Sequence, residues 1–497
     1  MKRRLVMLTV FALLLALVVI PAAAQGSINP GTGTTYTELA NTTADPAHVT
    51  ITYYDQSGGS VAGPSPTIPG NGSTAIDPNT TGLPQGFNGA AVVSSDKQLA
   101  SVVQTDWNGG PGDGYQMGLY TGVSAGSSTI CFPSLWKNAG SIESSFSVQN
   151  THTAAVNVSI TWVGRDGVPQ GTFNDTIPVG AQHTYDLMTP GGAVPNLPPG
   201  WAGSAKVSVS GAGSVAGVAV VNYGSGDPKR VRSTTYNAAD CAGLSGSTTL
   251  EAPSHFRLTQ GGTSSGKWLI WSFLNIQNLE GDTAHVQVTY TPRSGGTPVT
   301  LNKTIAPNST IGMNTRTGGD FPASDFDPLG YSFDGTVEIV SDNAVVAIVG
   351  TQWDRNAYVE AGMYAAFNKN AGATTYWVPN MKRLAPGGTW RAWSAAIVQN
   401  LGSANADVTL TFYDRNGNAV LTLANQTIAP LAAIGYNTKT GGSLPANTFD
   451  PLGTSYEGHV KVVSNNGQPL GVVLNGISRP SSSPFQSASG TTNGVSQ

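Results

Sequence analysis

The sequence predicts an all-β chain, four tandem immunoglobulin-like β-sandwich domains behind a leader peptide. Three observations carry this. A set of landmarks recurs four times within 497 residues. The landmarks alternate apolar and polar side chains with a period of two, the signature of a half-buried strand. Charged residues make up only 10% of the chain, against roughly a quarter in an average soluble domain.

The leader comes first. Lys2, Arg3 and Arg4 precede an almost unbroken apolar run, Leu5 to Ile20, and Pro21-Ala22-Ala23-Ala24 supplies small residues for cleavage. Sixteen residues fall short of the roughly 20 that span a bilayer. Residues 1–24 therefore read as a removable signal peptide, the alternative being an uncleaved anchor helix. No Cys follows the run, so lipid anchoring is not indicated. Cleavage takes three bases and no acids from 24 basic and 28 acidic residues, leaving a net charge of −7. That balance argues against nucleic acid as a partner, which calls for a basic stripe.

The repeats divide the rest into domains at 25–126, 127–245, 246–371 and 372–480, with 481–497 as a flexible Ser/Gly-rich tail. Each unit has an apolar-alternating segment ending in Asn: Asn41, Asn150, Asn278 and Asn400. A polar loop follows, then a strand running into a turn: VTITYYDQSGG from Val49, VSITWVGRDG from Val158, VQVTYTPRSGG from Val286 and VTLTFYDRNG from Val408. Alternation into Asp/Asn/Ser-Gly is a strand entering a hairpin. A Thr-Ile pair comes next (Thr67, Thr176, Thr304, Thr427), each soon followed by Pro. Then an aromatic stands two residues before Gly: Phe87/Gly89, Trp201/Gly203, Phe333/Gly335 and Tyr456/Gly458. A connecting segment with Pro and a base four residues on appears three times for four units: Pro133/Lys137, Pro253/Arg257 and Pro379/Arg383.

About seven short strands per unit fit a sandwich. The order of Asn-ended strand, polar loop and V-x-V-x-Y-x-D-x-x-G resembles the cell-adhesion-related (CARDB-like) Ig-like repeats of bacterial surface proteins, over nearly the whole mature chain. The resemblance implies an exported spacer or adhesive module with no catalytic residues to carry over. Asp55 and Asp414 hold the turn Asp of that pattern, which copies two and three lack.

Cys131 and Cys241 bracket the second unit, and in an exported chain they are expected to pair. Free thiols or intermolecular pairing are the alternatives. Other motifs carry no chemistry. Gly261 to Lys267 has phosphate-loop spacing, but Trp268 stands where Ser or Thr should hold magnesium. Gly122-Val-Ser124-Ala-Gly126 matches a nucleophile elbow without the strand-to-helix turn it needs. The six histidines lack metal-ligand spacing, and Asp414-x-Asn416-x-Asn418 reads as a hairpin turn before it reads as a calcium loop. No catalytic residue, metal or cofactor is therefore expected.

The aromatic pairs Trp268/Trp271 and Trp390/Trp393 align between units three and four. If Ile276 and Val398 face the core, parity along a strand puts Trp268 and Trp390 inside and Trp271 and Trp393 outside, unless a bulge intervenes. Trp271 and Trp393 are thus the candidate binding residues, for sugar rings or a neighbouring domain, the alternative being that they simply lie on the surface. The functional expectation is a non-enzymatic secreted or cell-surface protein. It would act as a spacer about 150 Å long if its units stand in line, as an envelope layer, or as a filament. Its partners would be copies of itself, other envelope proteins or glycans. One terminal unit, short of a strand, would present an open edge.

Overall fold

The computed structural model describes residues 12–14, 28, 31–110, 114–224, 231–242, 248–354, 359–479 and 487–497, without side chains at 12–14, 109–110 and 114. The remaining leader positions and residues 481–486 of the expected tail lie outside the described residues. The chain is all-β, built of antiparallel sheets with a few short 3-10 turns.

The second repeat shows the plan. One sheet runs Pro169–Ile177, Val156–Gly164, Trp201–Val209, Thr129–Lys137 and Ala239–Asp240; the other runs Gln182–Asp186, Ile142–Asn150, Val215–Tyr223 and Arg232–Asn237. Phe132, Phe146, Ile160, Trp162, Val207 and Val221 fill the space between them. Segments three and four repeat this order. In each, the two sheets join through one strand pair, Arg257 opposite Trp271 and Arg383 opposite Trp393.

Each sequence landmark has a physical cause. The four Asn side chains are almost fully buried and bridge the loop that follows them. Asn150 Nδ2 donates to the carbonyls of Ala154, Ile177 and Pro178 at 2.8–3.0 Å, and its Oδ1 accepts from His152 N. Asn41 and Asn278 make the same three bonds, and Asn400 makes two of them. The Thr-Ile strand and its Pro are therefore fixed by the Asn. At the aromatic-x-Gly landmark a ring lies over the glycine. A Cβ on Gly335 would strike the Thr291 carbonyl and the Phe333 ring, and one on Gly203 would strike the Val163 carbonyl and the Trp201 ring. In the hairpin turn, Asp55 Oδ1 accepts from Ser57 N and Gly59 N at 2.8 Å, and Asp414 does the same with Asn416 N and Asn418 N at 2.9 Å. The turn Asp is a backbone cap.

The Pro segments differ from expectation. They are not connectors but the first strand of each sandwich: Thr129–Lys137, Thr249–Thr259 and Thr375–Leu384, largely buried. The register shifts at each Pro, between Phe132 and Leu135, Ala252 and His255, and Val378 and Met381. Proline has no N–H for the ladder, so the strand bulges there. The basic residue four positions on is also structural. Arg257 is 2% exposed and donates to Thr315 O, Gly330 O and Asp327, each at 2.8 Å.

The C-terminal residues correct another expectation. Ala488–Asn493 is a strand paired along Leu470–Ser478, and Val495–Ser496 pairs with Thr375–Leu384. Ala488, Ser489 and Thr492 are 1–2% exposed. Composition suggested a frayed tail; small polar side chains here mark a strand packed against other strands.

Cys131 and Cys241 are disulfide-bonded, with Cα atoms 5.9 Å apart across 110 residues of sequence. The pairing of Ala239 opposite Cys131 and the Cys241 N–H to Thr129 O bond at 3.0 Å bring them together.

The four segments do not stand in line. The last long strand of each, Gly114–Thr121, Arg232–Asn237, Val359–Ala365 and Ala488–Asn493, packs against its counterparts around a common axis, first on second, second on third, third on fourth and fourth on first. Thr121 N donates to Asn237 Oδ1 at 2.9 Å and Asn237 Nδ2 donates back to Thr121 O at 2.8 Å. Asn493 and Ala365 repeat the pair at 3.1 and 2.8 Å. Small residues permit this approach: a Cβ on Gly118 would lie 2.8 Å from the Thr235 side chain, and one on Gly490 would lie 2.6 Å from Leu119.

A second contact, outside the axis, recurs from segment to segment. The residue after the turn Asp position is Gln56, Arg165, Arg293 and Arg415 in the four copies. Gln56 O meets His183 Nε2 at 3.2 Å, Arg165 meets Asp320 at 2.9 Å and also Asn275, and Arg293 donates to Ala433 O at 2.7 Å. Arg415 closes the circle on Glu38, two guanidinium nitrogens to two carboxylate oxygens at 3.0 and 3.1 Å. A head-to-tail contact that repeats with a closing rotation makes a ring. Here one chain forms it, and the expected 150 Å span gives way to a compact body.

Candidate functional site

The axial strands run in the same direction: Thr121 faces Asn237 and Gln116 faces Ser233 in one pair, Ala365 faces Asn493 and Ala361 faces Ser489 in another. The strand ends flanking residues 111–113, 225–230, 355–358 and 480–486 therefore gather at one end of the axis, while those residues themselves lie outside the described set.

The tryptophan pairs sit at this end. Trp271 pairs with Gln352, just before the strand end at Asp354, and Trp393 pairs with Ile477, just before Ser478. Trp268 and Trp271 meet edge to face at 6.5 Å, and Trp390 and Trp393 at 6.2 Å. Cations lie over the rings. Arg316 stands 4.5 Å from the Trp271 centroid and Arg232, from the second segment, 5.6 Å. Lys439 stands 4.0 Å from Trp393 and Arg479 5.0 Å. Such contacts contribute about 0.5–2 kcal/mol each.

Trp271 points out of its own sandwich, as parity predicts, but the second segment covers it and leaves it 3% exposed. Trp393 is half-buried. Trp268 and Trp390, expected in the core, are half-buried beside their partners. The cause is local: the register shift between Leu258 and Thr259 places an extra residue, Leu269, between their partners Ile270 and Trp268, and Trp390 lies outside the strand Ala392–Asn400. The covering cations were missed by sequence reasoning, although a signal exists: Thr315-Arg316-Thr-Gly-Gly and Thr438-Lys439-Thr-Gly-Gly repeat, while the second segment has Thr189-Pro190-Gly-Gly and no tryptophan pair.

A cavity of about 380 Å³ opens between segments two and three. Trp136, Tyr223 and Phe273 form its aromatic wall, and Arg165, Asn275 and Asp320 its polar rim. Arg165 lies 5.8 Å from the Trp136 ring centroid, so the residue that ties segment two to segment three also lines the cavity.

Titratable groups elsewhere are locked in structure. His255 and His459 are fully buried and burial pushes both imidazoles down to about 3. Burial, reinforced by Glu338, pushes the Glu251 carboxyl up to about 8, and Gln399 of the fourth segment donates to it at 3.0 Å. Among the described residues there is no group of three or more His, Cys, Asp or Glu that could hold a metal ion, and no helix is long and apolar enough to cross a membrane.

No family model matches the sequence, and no curated protein matches it. Among solved structures, Thermotoga maritima 1070 is similar at 13% identity over 24% of this chain and 92% of that one, with a TM-score of 0.20. The enterotoxigenic E. coli CFA/I adhesin CfaE is similar at 10% identity over 52% of this chain and 90% of that one, with a TM-score of 0.07.

Proposed function

We propose that the protein is an exported, non-enzymatic adhesive or structural protein of the cell surface, in which four Ig-like sandwiches close into a ring. The end of the ring bearing the tryptophan pairs makes the external contacts. The observation that carries this reading is the common direction of the axial strands, which brings four described strand ends and two Trp–cation clusters to one end of the axis. A rigid frame presenting loops at one end is a recurrent way to build a binding surface. The leader composition and the disulfide support export. The engagement of the buried charges in backbone and ion-pair contacts supports a non-catalytic role. Fractionation of producing cells with antibody detection tests export: the protein is expected in the surface or medium fraction, and recovery with its leader intact in the cytosol would refute it.

A second reading, glycan binding, rests on Trp393, half-buried under Lys439 and Arg479. Cations beside an aromatic ring suit a sugar that carries a carboxylate or sulfate. On an array of neutral and acidic glycans, retention of acidic members that disappears in Trp393→Ala supports this reading. Unchanged retention in that variant rejects the site.

A further inference from the structure

The first segment completes its sheet with a strand from the leader. Strands Trp201–Val209, Ser332–Ser341 and Ser455–Ser464 each have the Pro-bearing first strand of their own segment as one neighbour. Among the described residues, the first segment has no such strand after residue 24. Its equivalent, Gly89–Ser95, pairs instead with Ala12–Leu14, antiparallel, with Leu14 opposite Val93 and Leu13 opposite Ser94. The register is the one used elsewhere: Ile130 opposite Val207, Leu250 opposite Ile339 and Tyr376 opposite Val462. Ile130, Leu250 and Tyr376 are each 3% exposed, so this position feeds the core in every copy.

Among the described residues, none substitutes for the leader strand. Ile28, just after the predicted cleavage point, is engaged elsewhere: it is buried and its N–H donates to Glu143 of the second segment at 3.1 Å. The C-terminal strand is committed to the fourth segment. The structure therefore assigns a second role to the leader, and from it we infer a docking site. Removal of residues 1–24 leaves Gly89–Ser95 as an open edge, and that edge accepts an antiparallel strand from a partner protein. Ala91 and Val93, 0% exposed with the leader strand in place, define what fits: an extended peptide with aliphatic or aromatic residues at alternate positions, inserted between the two sheets as in strand-addition recognition. The inference rests on the export reading above, because the edge opens only if the leader is cleaved.

The test uses the mature chain beginning at Gln25 and a synthetic peptide of residues 249–259, the third segment's own first strand, as probe. Binding is read by fluorescence anisotropy and by hydrogen exchange at residues 89–95. The expected result is saturable binding, at least a tenfold fall in exchange across that strand, and loss of binding when Leu250 and Ala252 of the peptide are changed to Asp. No binding, or exchange at 89–95 already as slow in the free mature chain as in the equivalent strand 203–209, overturns the inference. The N-terminal mass of the exported protein separates the two readings: a chain exported with residues 1–24 attached defeats the docking site and leaves surface function standing.

Discussion

At the scale of single residues, the repeat signature is a list of buried polar groups with fixed duties. Asn150 holds a loop and a strand end through three carbonyls, of which that to Ile177 O is buried, and alanine would remove all three bonds, at about 1–3 kcal/mol and more for the lost packing. Asn150→Ala is expected to lower stability by about 2–4 kcal/mol in urea titration of the mature protein, whereas Asn302→Ala, at an exposed strand position, is expected to change it by less than about 1 kcal/mol. Histidine sets the acid limit. His255 and His459 titrate near 3 when folded and near 6.5 when unfolded, so between those values the unfolded chain binds more protons. Stability is then complete above pH 6.5 and falls as the pH drops, by about 1.4 kcal/mol per unit for each imidazole. Replacing both with neutral side chains of similar volume, as in His255→Gln with His459→Gln, should flatten the stability profile from pH 6.5 to 4. An unchanged slope there would place the acid sensitivity elsewhere.

Between elements, what composition shows and what packing decides come apart. Alternation and turn chemistry identify most strands, because one face of each strand meets a core and the other does not, and the pairing of Cys131 with Cys241 follows from their placement around one repeat. Three elements were hidden. The Pro segments read as connectors because a proline bulge interrupts their alternation. The strand Ala488–Asn493 reads as a tail because its neighbours on the axis select Ser, Gly and Thr in place of apolar residues. Trp268 and Trp390 misled the parity count because a register shift and a strand start intervene. The C-terminal strand offers a direct check: a chain ending at Pro480 exposes the edge of Leu470–Ser478 and opens the ring, and it should unfold at lower urea than the full mature chain or associate on size exclusion. A monomer of unchanged stability would return residues 487–497 to the status of a tail.

For the whole molecule, closure is the property that the repeats, taken one at a time, do not reveal. Period and landmarks predict four copies, whereas the rotation between copies resides in the axial glycines and in one hairpin position, Gln56, Arg165, Arg293 and Arg415, whose partners lie in the following segment. The Arg415–Glu38 contact joins residues 377 positions apart and is the step that separates a ring from an open string of sandwiches. Small-angle X-ray scattering of the mature monomer tests this most directly. A closed body of this length should have a radius of gyration of about 23–26 Å, whereas four sandwiches in line, each about 40 Å long, would give about 45 Å. A value near the first supports the ring, and a value near the second, with the distance distribution of a rod, would contradict it.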